Sequence, residues 1–108
     1  MSRHLEIPKG RTTELLFTWL APEADGQDLT LATSITFGLR RNVEDSGLAF
    51  SKVCTAADTL AAALTITAAE ADSLALGRYA SWGVRANFAD GSVYAIDSGT
   101  AIVTLTSP

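Results

Sequence analysis

Trp82-Gly-Val-Arg-Ala-Asn-Phe-Ala-Asp-Gly-Ser-Val-Tyr-Ala-Ile96 decides the fold of this chain. Trp82, Val84, Ala86 and Phe88 alternate with smaller or polar residues, the period of a strand buried on one face. Asp90-Gly91 supplies a turn, and beyond it the large residues Tyr94 and Ile96 again occupy even positions. A two-residue loop at Asp90-Gly91 would oppose Phe88 to Val93 and send Tyr94 and Ile96 away from the Trp82 face. A three-residue loop, Ala89-Asp90-Gly91 with Gly91 left-handed, opposes Phe88 to Ser92 and places Tyr94 and Ile96 beside Ala86 and Val84. The second register keeps the apolar set together and is the one expected. After Gly99 the apolar phase changes to Ala101, Val103 and Leu105, which predicts a bulge or bend at Ser98-Gly99 in one long last strand.

The same period recurs upstream. In Thr13 to Leu20 the residues Leu15, Phe17 and Trp19 share a face, and Ile35, Phe37 and Leu39 alternate with Ser34, Thr36, Gly38 and Arg40. Leu48 to Cys54 and Leu60 to Thr67 add two further strands after turns. Thr67-Ala68-Ala69-Glu70 departs from the pattern: Thr three residues before Glu is a capping box, so one short helix is expected at about residues 68 to 74. Gly77 suits a left-handed stop behind it. Some seven short strands with a single connector helix define an all-β fold. The expected form is an immunoglobulin-like antiparallel β-sandwich in one domain over residues 1–108, with a small barrel as the alternative. Trp19 or Trp82 can fill its core, and Tyr79, near the start of its strand, is a candidate tyrosine corner.

Composition narrows the chemistry. The 108 residues suffice for one packed core, 47% are hydrophobic and 19% charged, and no apolar run reaches the roughly 18 residues of a membrane span. A net charge of -4 with scattered Lys and Arg argues against a nucleic-acid partner. The single cysteine, Cys54, has no intramolecular disulfide partner, and the single histidine, His4, falls in an N-terminal segment expected to be mobile. A Cys/His zinc site is not expected, nor is any other cofactor. The first residues carry no signal-peptide core or lipidation motif, so synthesis in the cytoplasm is expected.

Asp25, Asp28, Asp90 and Asp97 read as turn formers rather than calcium ligands, because they are not concentrated in one loop of alternating oxygen donors. Ser46, Ser51 and Ser81 have no histidine but His4 as a base, and Cys54 has no basic neighbour in sequence to activate it, so no enzymatic activity is expected. Trp19, Trp82, Phe88 and Tyr94 offer a sugar-stacking platform only if they are exposed, whereas their phase assigns them to the core. Arg40-Arg41 reads as a solvated strand end. Leu16 and Leu20 alternate out of phase with the core set and form the candidate interface patch, unless the N-terminal segment covers them.

The order Ile7-Pro8-Lys9-Gly10-Arg11-Thr12, a Leu/Phe/Trp strand, Asp25-Gly26-Gln27-Asp28-Leu29-Thr30, and Ala32 before a strand ending in Arg40 resembles a family of phage and prophage structural domains. Thr67 to Glu70, Gly77-Arg78-Tyr79, Asp90-Gly91 and Gly99-Thr100 continue the likeness over nearly the whole chain. The family is that of the immunoglobulin-like N-terminal domain of siphophage upper baseplate proteins, with stand-alone members among head, neck and tail genes. The resemblance implies a virion component whose partners are other virion proteins, capsid, tail or baseplate subunits, and itself as a homo-oligomer. Glycan recognition at a host surface is the alternative role. One departure stands out: Trp82 and Val84 are out of phase with Tyr79, which predicts a bulge near Ala80-Ser81.

Overall fold

The computed structural model describes residues 3–18, 29–44 and 47–105. The strands are β1 (Arg3–Pro8), β2 (Thr13–Thr18), β3 (Ser34–Arg40), β4 (Phe50–Asp58), β5 (Ala61–Ile66), β6 (Gly77–Asn87) and β7 (Val93–Thr104), with helix α1 (Ala68–Asp72) between β5 and β6 and a 3-10 turn at Leu29–Leu31. They are hydrogen-bonded in the order β1-β7-β6-β3-β4-β5-β2. β4 is the fold line: Phe50 to Cys54 pair with β3, and Thr55 to Asp58 pair with β5 across an irregular register. Beyond that line β5 and β2 lie over the larger layer, so that Phe17 of β2 packs on Phe37 of β3 at 5.8 Å and on Trp82 of β6 at 5.3 Å between ring centroids. Among the described residues the strand order ends at β1 and β2, and the two layers packed face to face make the all-β fold a sandwich.

The expected hairpin register is present. The Phe88 amide donates the closing hydrogen bond to the Ser92 carbonyl, Ala86 opposes Tyr94, and Gly91 has φ +91°. Ala80 and Ser81 form the expected bulge, the two of them standing against Thr100 alone between the pairs Tyr79↔Ala101 and Trp82↔Gly99. That extra residue carries Tyr79 and Trp82 onto the same buried face. The phase change in β7 sits earlier than Ser98-Gly99. Val84 pairs with Asp97 and Arg85 with Ala95, so Ile96 is the unpaired extra residue, and the odd phase starts at Asp97.

The N-terminal segment is a correction. Residues 3 to 8 are not a loose tail but a strand running parallel to β7, Leu5 opposite Ala101 and Ile7 opposite Val103, with both apolar side chains in the core. Its alternation, His4 and Glu6 exposed against Leu5 and Ile7 buried, is that of a half-buried strand. The sandwich is accordingly antiparallel except at this edge pair. β4 likewise begins at Phe50, and Leu48 lies before it, across the outer side of Gly38.

Helix α1 starts on the expected capping box: the Glu70 amide donates to Thr67 Oγ1 (3.2 Å) and the Thr67 amide to Glu70 Oε1 (2.9 Å). Lys52 of β4 donates to the same carboxylate oxygen (2.7 Å) and to the Thr65 carbonyl (2.6 Å), tying the connector to the facing layer. Past the helix, three consecutive carbonyls receive side-chain donors from three different elements. Lys9 Nζ donates to Leu74, Tyr79 Oη to Ala75 (2.8 Å) and Arg41 Nη2 to Leu76, the first and last at 2.9 Å. Tyr79, buried on β6 and bonded to backbone four residues upstream, is a tyrosine corner as expected. Arg41 is not simply solvated: its guanidinium also stacks on the Tyr79 ring, 4.6 Å from the centroid.

Candidate functional site

Cys54, His4, Asp90 and Asp97 are each engaged in structure, whereas Ser51 and Ser81 are exposed on the outer face of the larger layer. Cys54 lies in the core between Ile35 and the β4 bend, and burial pushes its thiol up to about 11, far from the thiolate needed for nucleophilic or metal chemistry. His4 sits on the exposed side of β1 with Nδ1 3.0 Å from Thr100 Oγ1. Asp90 organises the hairpin by accepting from the amide and hydroxyl of Ser92, and those bonds hold its carboxyl below the usual range. Asp97 accepts from the Ser98 amide. Among the described residues no three of His, Cys, Asp and Glu converge on a point where a metal ion would sit. Asp25, Asp28 and Ser46 fall outside the described residues. No helix among those described is long and apolar enough to cross a membrane.

The aromatic residues are divided between core and rim. Trp82 is 2% exposed, its indole N–H donates to the Thr100 carbonyl at 2.8 Å, and its ring packs against Phe37 and Phe17. Phe88 and Tyr94 are half-buried and meet edge to face at 75°, which is not the flat surface on which a sugar ring stacks. Trp19 lies outside the described residues.

Leu16 has the expected placement. It is 54% exposed on the outer face of β2, in register with Ala63 of β5, while Leu15 and Phe17 turn inward. Its strand neighbours on that face, Glu14 and Thr18, are polar, so Leu16 is the apolar centre of a mixed surface. Leu20, its expected companion, lies outside the described residues.

A groove on the opposite layer was not anticipated from the sequence. It has a volume of about 500 Å³ and runs along the outer side of the β3/β6 seam. Its floor is the directly opposed pair Gly38 and Gly83, with Leu48 lying over Gly38, and it is flanked in register by Ser51 of β4 and Ser98 of β7. Arg40 stands at one end and Arg85 at the other, while Thr36, Ser81 and Asn87 line the sides, and no carboxylate lines it. The signal lay in the outward phase of both strands: a glycine in a central strand contributes no packing and marks a bend or a close approach.

The chain matches no protein-family model and no curated protein. Its fold and surfaces are therefore what bear on its role.

Proposed function

We propose that this domain is a non-enzymatic structural component of a bacteriophage or prophage virion, a head-decoration, neck, tail or baseplate accessory protein that works through protein–protein contacts. The observation that carries this reading is the coincidence between the segments of family resemblance and the structural joints of the sandwich. Thr67 to Glu70 form the capping box, Gly77-Arg78-Tyr79 the tyrosine corner, and Asp90-Gly91 the hairpin. The chemistry left on the surface is that of association: an exposed Leu16, a groove with an arginine at each end, and the terminal strands β1 and β2 of the strand order. Leu16, on the outer face of β2, is the proposed contact residue, with Leu20 its companion by sequence phase. The burial of Trp82 weighs against the glycan-binding alternative, which needs flat exposed aromatic rings.

Mass spectrometry of purified particles tests this, with copy number taken relative to the major capsid and tail-tube proteins. A count in the hundreds assigns the domain to the capsid, and a small multiple of three or six to the neck or baseplate. Absence from particles whose genome encodes it defeats the reading.

A further inference from the structure

We propose that the groove over the β3/β6 seam is a docking site for an extended, acidic segment of a partner polypeptide. The inference rests on the reading of the domain as an assembly component and supplies the chemistry of the partner. Two observations fix the charge. Arg40 and Arg85 face the groove from opposite ends, and among the described residues neither side chain forms an ion pair or a hydrogen bond; Nε of Arg40 is buried without an acceptor. The chain as a whole carries -4, so a groove holding two arginines and no carboxylate runs against its overall charge and selects an anion.

The spacing of the two arginines along the seam matches an extended anion. Arg40 pairs with Ser81, and Arg85 is four residues further along the same strand, about 13 Å at the rise of a β-strand. An extended peptide laid along the seam presents side chains i and i+4 on one face at that same separation, so acidic residues four apart meet both guanidinium groups.

The floor is shaped for a close approach. Leu48 occupies the notch above Gly38, where an added Cβ would come within 2.9 Å of its Cδ1. Gly38 is thus explained by the chain's own packing. Gly83 is not: it is paired in register with Gly38 and Ser98, its φ is not positive, and a Cβ there would meet nothing nearer than the Asp97 carbonyl at 3.9 Å. The domain itself has room for a side chain at 83, and the sequence leaves it out at the place where a ligand backbone would descend between the arginines.

The test is a 15N NMR titration of the whole domain with a heptapeptide carrying glutamates at positions two and six, at low salt. The expected result is saturable shifts at the amides of Gly38, Ser81, Gly83 and Arg85, at least tenfold weaker with the glutamine version of the peptide and for the Arg40→Glu/Arg85→Glu variant. Gly83→Val should keep its thermal midpoint, because the added Cβ meets only an ordinary van der Waals contact with the Asp97 carbonyl, and should bind at least tenfold more weakly. Equal binding of the glutamate and glutamine peptides, unchanged binding by Gly83→Val, or tighter binding of inorganic sulfate or a heparin hexasaccharide than of the peptide overturns the proposal. Particle incorporation separates the two levels. Wild-type domain missing from particles defeats the virion reading, whereas Arg40→Glu/Arg85→Glu incorporated at the wild-type copy number defeats the groove alone.

Discussion

Replacing Tyr79 by Phe removes a single oxygen atom and should destabilise the domain by about 1–2 kcal/mol, more than a surface change of that size ordinarily does. The ring is 3% exposed and its hydroxyl donates to the Ala75 carbonyl at 2.8 Å. The net value of such a bond is about 0.5–1.5 kcal/mol, and an acceptor left unsatisfied adds to the loss. The Ala75 carbonyl is not free to swing to solvent, since its neighbours Leu74 and Leu76 are held by Lys9 and Arg41. The aromatic face on which Arg41 stacks survives in Phe, so the substitution isolates the hydroxyl. Urea unfolding followed by tryptophan fluorescence should show a lower midpoint at unchanged slope. In a thermal scan each kcal/mol corresponds to roughly 4–8 °C for a domain of this size. A loss below about 0.3 kcal/mol would mean that water replaces the hydroxyl without cost, and that the corner does not anchor the connector.

Three further outcomes follow from particular residues. Gly91→Val, which places a β-branched residue at φ +91°, should cost on the order of 1–3 kcal/mol in chemical denaturation, and a neutral result would show the loop relaxing to another turn. Cys54, buried and with its thiol pushed up to about 11, should resist maleimide labelling at pH 7.5 in the native domain and react at once in urea; rapid native labelling would contradict its placement. Glu70 is held below its ordinary value, first by the Lys52 hydrogen bond and then by the Thr67 amide, so the unfolded chain binds its proton at a higher pH than the folded one. Its contribution is therefore fully present above the ordinary glutamate range and is lost as pH falls from there through the folded value. Glu70→Gln should flatten the acid side of a stability-versus-pH curve, and an unaltered acid limb would remove Glu70 from the account.

What the sequence made legible was whatever local pattern alone determines. Alternation placed Phe37, Leu39, Val84 and Ala86 in the core, and a capping box and a turn dipeptide located α1 and the β6–β7 hairpin, because these depend on residues no more than a few positions apart. Parallel pairing of β1 with β7 joins residues nearly a hundred positions apart, with no turn between them to announce it, so Leu5 and Ile7 read as a tail. The β7 phase change was visible as a fact but not as a position: Ala95 to Gly99 are compatible with a bulge at several points, and only the partner strand selects Ile96. Arg41 looked solvated because its acceptors, the Leu76 carbonyl and the Tyr79 ring, lie on the far side of the connector. On the surface, the outward place of Leu16 follows from the period of two, whereas the groove depends on Gly38 meeting Gly83, a matter of register between strands.

The two bulges of the β6–β7 hairpin connect these levels. At its far end Tyr79 faces Ala101; the extra residue at Ala80-Ser81 shifts the pairing by one, and the extra residue at Ile96 shifts it back before the turn. Between the bulges β6 has exchanged its faces relative to Tyr79, so Trp82 and Val84 enter the core while Gly83 and Arg85 turn outward. Had β6 run without its bulge, the phase set by Tyr79 would carry Ser81, Gly83, Arg85 and Asn87 inward and expose Trp82, an arrangement that buries a charge and strands the largest aromatic residue in water. The hydrophobic demand of Trp82, Val84 and Ala86 therefore enforces the bulge. The same step that completes the core against Phe17 and Phe37 lays the glycine floor and Arg85 on the outer surface opposite Gly38 and Thr36. Core and groove are two faces of one register choice, and a change that alters the phase of β6 must disturb both together.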